Sequence, residues 1–243
     1  MYRTSNGDMD ATNLRKVRSF VRRPGRITSA QRRALETLSA RWGLPYEPRR
    51  IDLDAVFGRS APRVLDVGFG DGEALVTCAA NYPGFDYLGV EIHEPGVGHL
   101  LLLLERASIG NVRVIMADAV EVIEHMLEAA SVDAIDLFFP DPWPKKRHHK
   151  RRIVQADFLA QCARILKSGG LMHLATDWAD YAEHALAALG ASPWFDAVPA
   201  EALAGEPLAF RPPTKFERRG RRLGHEVVDL YFRKRAVPLD EVR

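Results

Sequence analysis

Short apolar runs alternate with longer amphipathic stretches along most of this chain, and this alternation is what most restricts its fold. The apolar runs predict five strands, at residues 63–69, 86–92, 112–118, 134–140 and 171–177. The stretches between them and after them predict five helices, at residues 73–82, 95–108, 119–129, 151–168 and 178–190. Gly169 and Gly170 are expected to end the fourth helix. Because strands that alternate with helices form parallel β-α units, we expect an α/β fold with a doubly wound, mostly parallel sheet.

The two ends of the chain differ from this alternating region. Residues 193–213 hold five of the fifteen prolines and are predicted to form a long loop or lid, and residues 226–235 are predicted to form a last strand. The segment before the first strand is rich in basic residues. We therefore predict a basic, partly flexible N-terminal arm over residues 1–50 and one domain over residues 51–243.

The formal net charge is only +2, but the charges are unevenly distributed. Residues 1–50 contain twelve Lys and Arg against four Asp and Glu, whereas residues 51–243 contain 22 basic against 28 acidic residues. Basic segments on a near-neutral body favour a polyanionic partner. A disordered basic tail beside a solvated face would give the same counts, and this alternative stays open at this point.

The chain lacks the marks of secreted, membrane and zinc-binding proteins. Its longest purely apolar run, residues 100–104, is far too short to cross a bilayer, and its first ten residues are polar. Cys78 and Cys162 lie far apart, without a CxxC pair or a His at zinc-finger spacing. We expect two free buried thiols, no metal, no membrane association and a cytoplasmic protein that is a monomer or a homodimer.

A glycine-rich loop follows the first predicted strand. The sequence LDVGFGDGEAL places Gly68, Gly70 and Gly72 between this strand and the first helix. Glycines let the backbone turn tightly and approach a ligand, and a helix N-terminus offers unpaired N–H groups. The pattern alone fits a dinucleotide site, a methyl-donor site or a plain strand–helix turn.

Acidic residues stand at the ends of the first three strands, at Asp66, Glu91 and Asp118. Because the carboxyl ends of parallel strands meet at one edge of a sheet, we expect these side chains to line one ligand site. Glu91 stands where a carboxylate binds ribose hydroxyls, and Asp118 could also cap the following helix. Acids beside a glycine loop oppose a pyrophosphate but suit the ammonium and sulfonium groups of S-adenosylmethionine. The methyl donor is therefore favoured over NAD.

The fourth strand ends in the sequence FFPDPWP, whose prolines restrict the backbone around Asp141 and Trp143. A carboxylate held in this way can accept hydrogen bonds from the N1–H and amino group of guanine, and an aromatic ring can stack on a base. The alternative is a proline-rich turn whose Trp fills a gap in the core.

A basic block, residues 145–152, follows this turn directly. It contains six cations and two histidines: Lys145, Lys146, Arg147, His148, His149, Lys150, Arg151 and Arg152. Such a block attracts a phosphate backbone, although a solvated face remains the alternative. We interpret the turn as holding a base and the block as holding the strand that carries it.

Several motifs together closely resemble the bacterial tRNA (guanine-N7-)-methyltransferases. They are RSFVRRPGRIT, GFGDG, GVEIHEPGVG, DAVEV, LFFPDPWPKKRHHKRRIVQ, HLATDWADYAEH and PPTKFERRGRRLGH. The resemblance covers residues 18–235, and its most specific parts are the PDPW run and the TKFE segment. It implies a seven-stranded, Rossmann-like class I methyltransferase fold. It also implies that S-adenosylmethionine methylates N7 of a guanine in the tRNA variable loop, at position 46.

The resemblance also assigns roles to individual residues. Matches to donor-site residues are Asp66, Gly68, Gly70, Glu91, Asp118 and Asp141, and many relatives have Glu in place of Asp66. Asp141 matches the proposed catalytic acid. Matches to substrate contacts are Lys145, Asp177, Thr214, Lys215, Phe216 and Glu217. Residues Arg147 to Arg152 match an RNA-contacting stretch.

Two other functions stay open on the residues alone. A proline-framed acid beside an aromatic also suits methylation of an exocyclic amine, as in adenine-N6 enzymes. The chain could also be an RNA-binding protein that keeps a methyltransferase fold without activity. An NAD-linked dehydrogenase ranks last, since no catalytic His or Tyr-Lys pair is placed for hydride transfer.

Overall fold

The computed structural model describes residues 25–222, 224 and 226–236 of the 243-residue chain. Within these ranges eight strands form one sheet. The strands are β1 (Gly43–Leu44), β2 (Arg63–Val67), β3 (Asp86–Val90), β4 (Val112–Ile115), β5 (Val132–Phe138), β6 (Leu166–Thr176), β7 (Phe195–Ala197) and β8 (Val228–Lys234).

Eight α-helices and three short 3₁₀ helices connect the strands within the same ranges. The α-helices are α1 (Ser29–Trp42), α2 (Leu53–Phe57), α3 (Glu73–Asn81), α4 (Glu94–Ala107), α5 (Ala119–His125), α6 (Ala156–Ile165), α7 (Ala179–Gly190) and α8 (Lys215–Arg222). The 3₁₀ helices are Lys146–Arg151, Ala200–Leu203 and Pro207–Ala209. Among the described residues, none of the helices combines the length and apolar character needed to cross a membrane.

The strand order is β1-β4-β3-β2-β5-β6-β8-β7. The first six strands in this order are mutually parallel, whereas β8 runs antiparallel to β6 and β7 runs antiparallel to β8. The predicted doubly wound, mostly parallel sheet is therefore confirmed. It has eight strands instead of seven because Gly43 and Leu44 pair with β4 at the edge. A two-residue strand is too short to leave a periodic pattern in the sequence.

Helices cover both faces of the sheet. One face carries α1, α3 and α4, whose buried side chains include Leu75 and Leu100. The other face carries α5, α6 and α7, and buries Ile123, Phe158 and Tyr181. Every residue of β2 and β3 is buried, as expected for central strands covered on both sides.

The predicted N-terminal arm includes a helix that packs on the domain. Thr28 and Gln31 form a capping box at the start of α1, and Trp42 at its end is 1% exposed. The indole N–H of Trp42 donates to the carbonyl oxygen of Ile109 at 2.8 Å. Residues 29–44 thus belong to the sheet domain, and the first 24 residues of the predicted arm lie outside the described part of the chain.

Two sequence-based boundaries differ in the structure. Gly169 and Gly170 lie inside β6 and do not end α6, which stops at Ile165 because Leu166 already pairs with β5. The predicted loop over residues 193–213 contains β7 and two of the 3₁₀ helices. Both errors arise where pairing with a distant strand overrides the local pattern.

We expect Trp42→Ala to lower the free energy of unfolding by about 3–5 kcal/mol, the usual range for truncating a buried Trp. The loss reflects removal of the ring that joins α1 to the sheet and of its hydrogen bond to Ile109. Urea titration of the variant measures it, with Glu36→Ala on the exposed side of α1 as the control. A loss below 1 kcal/mol would show that α1 contributes little to the domain.

Candidate active site at the carboxyl edge of the sheet

The glycine loop between β2 and α3 has a backbone that most side chains would strain. Gly68, Gly70 and Gly72 all have positive φ, at 75°, 64° and 79°. The first turn of α4 packs directly on this loop, since a methyl carbon at Gly96 would lie 2.1 Å from the carbonyl oxygen of Gly70. Close backbone packing therefore sets the shape of the loop.

Glu91 anchors the loop through both of its carboxylate oxygens. Oε2 accepts from the backbone N–H of Gly70 at 3.0 Å. Oε1 accepts from the N–H groups of Ile92 at 2.7 Å and His93 at 2.8 Å. The sequence predicted a ribose-binding carboxylate here, and the structure adds that the same group holds the loop in place.

A cavity of about 270 Å³, here called the donor cavity, opens beside this loop. All six residues predicted for donor binding line it: Asp66, Gly68, Gly70, Glu91, Asp118 and Asp141. Thr214, predicted to contact the substrate, lines it as well. The structure therefore brings the carboxylates of three strands and the fourth-strand turn to one place.

Asp66 lies within β2, and not at its end, and is only 4% exposed. Burial, followed by the nearby Glu91 carboxylate, raises the pKa of Asp66 to about 7. Asp136 occupies the same register on the adjacent β5 and is also buried. Burial and the neighbouring Asp66 raise the pKa of Asp136 well above its usual value. Sequence analysis missed Asp136, although an acid inside the apolar run AIDLFF was a visible signal.

Asp118 caps a helix, as one of the two roles considered from the sequence requires, and its position suits the other role as well. Its carboxylate caps α5 by accepting from the N–H of Val120 at 3.0 Å, and it lines the donor cavity.

The turn that carries Asp141 has an unusual backbone on either side. Phe139 and Trp143, neither of them glycine, have φ values of 51° and 45°. The N–H of Phe139 donates to the carbonyl oxygen of Ala175 on β6 at 2.7 Å. Asp141 itself is exposed at the wall of the donor cavity.

Trp143 is half-buried and is not among the core side chains. The guanidinium carbon of Arg151 lies 4.0 Å from its ring centroid, and the ring of His148 meets it edge-on at 5.7 Å. The idea that this Trp fills a core gap is therefore wrong. A base that stacks on Trp143 would share the ring with a cation.

Half of the eight residues in the basic block are exposed: Lys145, Lys146, Arg147 and Lys150. His148, His149 and Arg151 are partly buried, and Arg152 is only 2% exposed, with its guanidinium bonded inside the protein. This burial does not favour the predicted RNA contact of Arg152, because a buried, bonded guanidinium is poorly placed to face a phosphate.

An ion-pair cluster holds the TKFE segment against the sheet. Arg211 donates to both carboxylate oxygens of Asp229 on β8, at 2.8 and 2.9 Å, and to Glu217 in α8 at 2.5 Å. Burial opposes ionisation of Asp229, but hydrogen bonds from His173 and Arg211 outweigh it and hold the pKa of Asp229 well below its usual value. Glu217 is 3% exposed, so its carboxylate acts here as an anchor within the protein.

Helix α8 lies between the end of β6 and the start of α3. A methyl carbon at Gly220 would lie 2.8 Å from Oδ2 of Asp177, and Arg218 pairs with Glu73 at 3.3 Å. Asp177 thus lies against α8, and neither it nor Lys145 lines the donor cavity. The side chains of Lys215 and Phe216 lie outside the described part of the structure.

Metal ligands are not clustered in the described ranges: no group of three His, Cys, Asp or Glu side chains there could hold an ion. Cys78 and Cys162 are free and buried, as expected, and burial raises the pKa of both thiols.

Comparison with known proteins gives one consistent result. A family model described as "Putative methyltransferase" matches residues 60–230. The chain is similar to the tRNA (guanine-N(7)-)-methyltransferase of Alkalilimnicola ehrlichii, with 55% identity over 232 residues that cover 94% of this chain and 97% of that protein. The protein of the same name from Halorhodospira halophila is 56% identical over 222 residues, covering 91% and 96%.

Among solved structures, the 16S rRNA methyltransferase KamB superposes with a TM-score of 0.50 at 15% identity. The match covers 88% of this chain and 97% of that one, and it shows the shared fold. Taken with the near full-length identity to the curated proteins, the chain belongs to the family of bacterial tRNA (guanine-N7-)-methyltransferases.

Proposed function

We propose that this protein transfers a methyl group from S-adenosylmethionine to N7 of a guanine in tRNA, and that this guanine lies in the variable loop at position 46. The observation that carries the proposal is the donor cavity, where the predicted donor residues meet Asp141 next to an exposed basic block. The proposal includes a cytoplasmic location, where tRNA is found.

The charge of the donor cavity supports a cationic ligand. Its described lining residues include six acids and no Lys, Arg or His; the acids are Asp66, Asp71, Glu73, Glu91, Asp118 and Asp141. A pyrophosphate would be repelled there, whereas an ammonium and a sulfonium are attracted. When bound, S-adenosylmethionine supplies an electrophilic methyl group. The acids that line the cavity, together with the loop of Gly68 and Gly70, would hold it.

Asp141 acts on the acceptor guanine by position and charge. Guanine N7 carries an in-plane lone pair, so its methylation releases no proton and needs no general base. The guanine ring gains positive charge as N7 is methylated, and a carboxylate at the cavity wall stabilises that charge. The same carboxylate can accept hydrogen bonds from the N1–H and amino group and thereby orient the base.

The basic block supplies affinity for the tRNA backbone. Lys145, Lys146, Arg147 and Lys150 are exposed, and they begin four residues after Asp141. Phosphate contacts there would hold the tRNA strand while the target base lies against Asp141 at the wall of the donor cavity. Lys145, Asp177, Thr214, Lys215 and Phe216 are proposed to contact the substrate. The buried Glu217 is instead proposed to hold this segment in place through Arg211.

The direct test incubates the purified protein with unmodified tRNA and S-adenosylmethionine labelled in its methyl group. Nucleoside digestion and mapping should recover N7-methylguanine from position 46. Recovery of N6-methyladenine would establish the exocyclic-amine alternative. Binding of tRNA without any incorporation would establish the RNA-binding alternative.

Asp141→Asn should lower turnover by about a hundred- to a thousandfold at saturating tRNA and donor, the scale for losing one preorganised electrostatic group. The NH₂ group of the new Asn side chain would also face the N1–H and amino group of guanine, which cannot accept hydrogen bonds from it. The dissociation constant for tRNA should change little, because phosphate contacts supply most of the affinity. Asp157→Asn, an exposed change in α6, is the control. Near-full turnover of Asp141→Asn would transfer the proposed role to Asp177.

Glu91→Gln should weaken methyl-donor binding by about ten- to a hundredfold, since a hydrogen bond to a charged group is worth about 1.5–3 kcal/mol. Both oxygens of Glu91 accept from backbone N–H groups. The side-chain NH₂ of a Gln would replace one of these oxygens and face an N–H group, to which it cannot bond. Titration calorimetry with the donor measures the loss, and Glu94→Gln in the exposed first turn of α4 is the matched control. Equal affinities of the two variants would remove Glu91 from the site.

Asp66→Asn should remove a pH dependence of stability. The pKa of Asp66 is about 7 when folded and about 3.9 when unfolded, so the folded protein binds the proton more tightly. The wild type therefore loses stability as pH rises from about 4 to about 7, by at most about 4 kcal/mol. We expect the variant to melt above the wild type at pH 8, to lose this advantage near pH 4 and to bind the donor less tightly. Parallel melting curves across this range would contradict the assignment.

A further inference from the structure

Arg152 stands apart from the other cations of the basic block. It is 2% exposed, whereas Lys150 two residues earlier is exposed. A buried charge is costly unless it is paired and hydrogen-bonded, so its position indicates a role within the protein.

All three guanidinium nitrogens of Arg152 have partners. Nε donates to the carbonyl oxygen of Pro142 at 3.0 Å. One terminal nitrogen donates to the carboxylate of Asp180 and to Nε2 of His149, the latter at 3.1 Å, and the other lies 3.4 Å from the Asp180 carbonyl oxygen. The guanidinium carbon lies 5.4 Å from the ring centroid of Tyr181. Arg152 therefore ties the Asp141 turn to the first turn of α7.

The turn needs such a tie because its backbone is strained and poor in donors. Phe139 and Trp143 hold φ values of 51° and 45°, in the left-handed region that is unfavourable for residues other than glycine. Pro140, Pro142 and Pro144 have no N–H, so the turn has few backbone donors with which to bond to the rest of the protein. The Phe139 N–H secures one side of Asp141, and the Pro142 carbonyl secures the other.

We propose that Arg152 is a positioning residue for Asp141, acting through the Pro142 carbonyl and Asp180, and that it does not contact RNA. The proposal rests on the methyltransferase function proposed above. The Arg152 guanidinium, chiefly through its hydrogen bond, lowers the pKa of Asp180 below its usual value.

The test compares three single variants by turnover, tRNA dissociation constant and the salt dependence of tRNA binding. Arg152→Lys keeps the charge but loses the planar fork, and Asp180→Asn weakens the same tie from the exposed side of α7. Lys150→Ala removes an exposed cation of the same block.

We expect Arg152→Lys and Asp180→Asn to lower turnover at saturation at least tenfold, with tRNA affinity within twofold of the wild type and an unchanged salt slope. Lys150→Ala should instead weaken tRNA binding and reduce the log–log salt slope by about 0.7–0.9. A reduced salt slope for Arg152→Lys with normal turnover would make Arg152 an RNA contact. Normal turnover of Asp180→Asn would also overturn the proposal.

Double variants separate positioning from general weakening of the fold. In the Asp141→Asn background, Arg152→Lys should lower turnover less than threefold further, because the residue that it positions has already lost its function. A full additional tenfold loss would assign Arg152 a structural role unrelated to Asp141.

Hydrogen exchange measured by mass spectrometry tests the tie without any activity. Arg152→Lys should accelerate exchange across residues 139–143, and Lys150→Ala should not. If the wild type fails to methylate guanine, this measurement still decides whether Arg152 holds the turn. Unchanged exchange in Arg152→Lys would refute the proposal even in an active enzyme.

Discussion

The structure depends on concentrating carboxylates at one edge of a parallel sheet, where the described residues that line the donor cavity include no cationic side chain. Six acids line the donor cavity, and each must be accommodated before any ligand enters. Glu91 is stabilised by three backbone N–H groups and Asp118 by capping α5. Asp66 has no comparable compensation and retains its proton up to about pH 7. The cavity is therefore electrostatically unsatisfied when empty, and a cation completes it.

The acceptor side is held together differently, by buried arginines that each join two segments. Arg211 connects α8 to β8 through Glu217 and Asp229, and Arg152 connects the proline turn to α7. A planar guanidinium offers several donors in fixed directions, so one side chain can set the position of an irregular segment. The glycine loop of the donor cavity is thus held by backbone packing, whereas the proline turn and α8 are held by ion pairs.

The sheet and the donor cavity could be predicted from local sequence because their signals are local. Alternating apolar runs mark the strands, and an acid near a strand end must come to the shared edge. The features that the sequence did not predict depend on contacts between residues that are far apart along the chain. Asp136 matters because β5 pairs with β2 at that register, and Gly169 lies in a strand because Leu166 pairs with Val132. Arg152 has the same sequence context as exposed cations, and only its contacts within the fold distinguish it.

The position of β8 in the sheet has a consequence for how the protein is made. This strand is the last of the described strands along the chain but lies between β6 and β7 in the sheet, and it carries the Asp229 that holds Arg211. All but one of the residues that line the donor cavity come before residue 154. On a ribosome, where synthesis proceeds from the N-terminus, the carboxylate-lined half can assemble while the chain is still growing. The ion-pair cluster of Arg211, Glu217 and Asp229 can form only after β8 has left the ribosome.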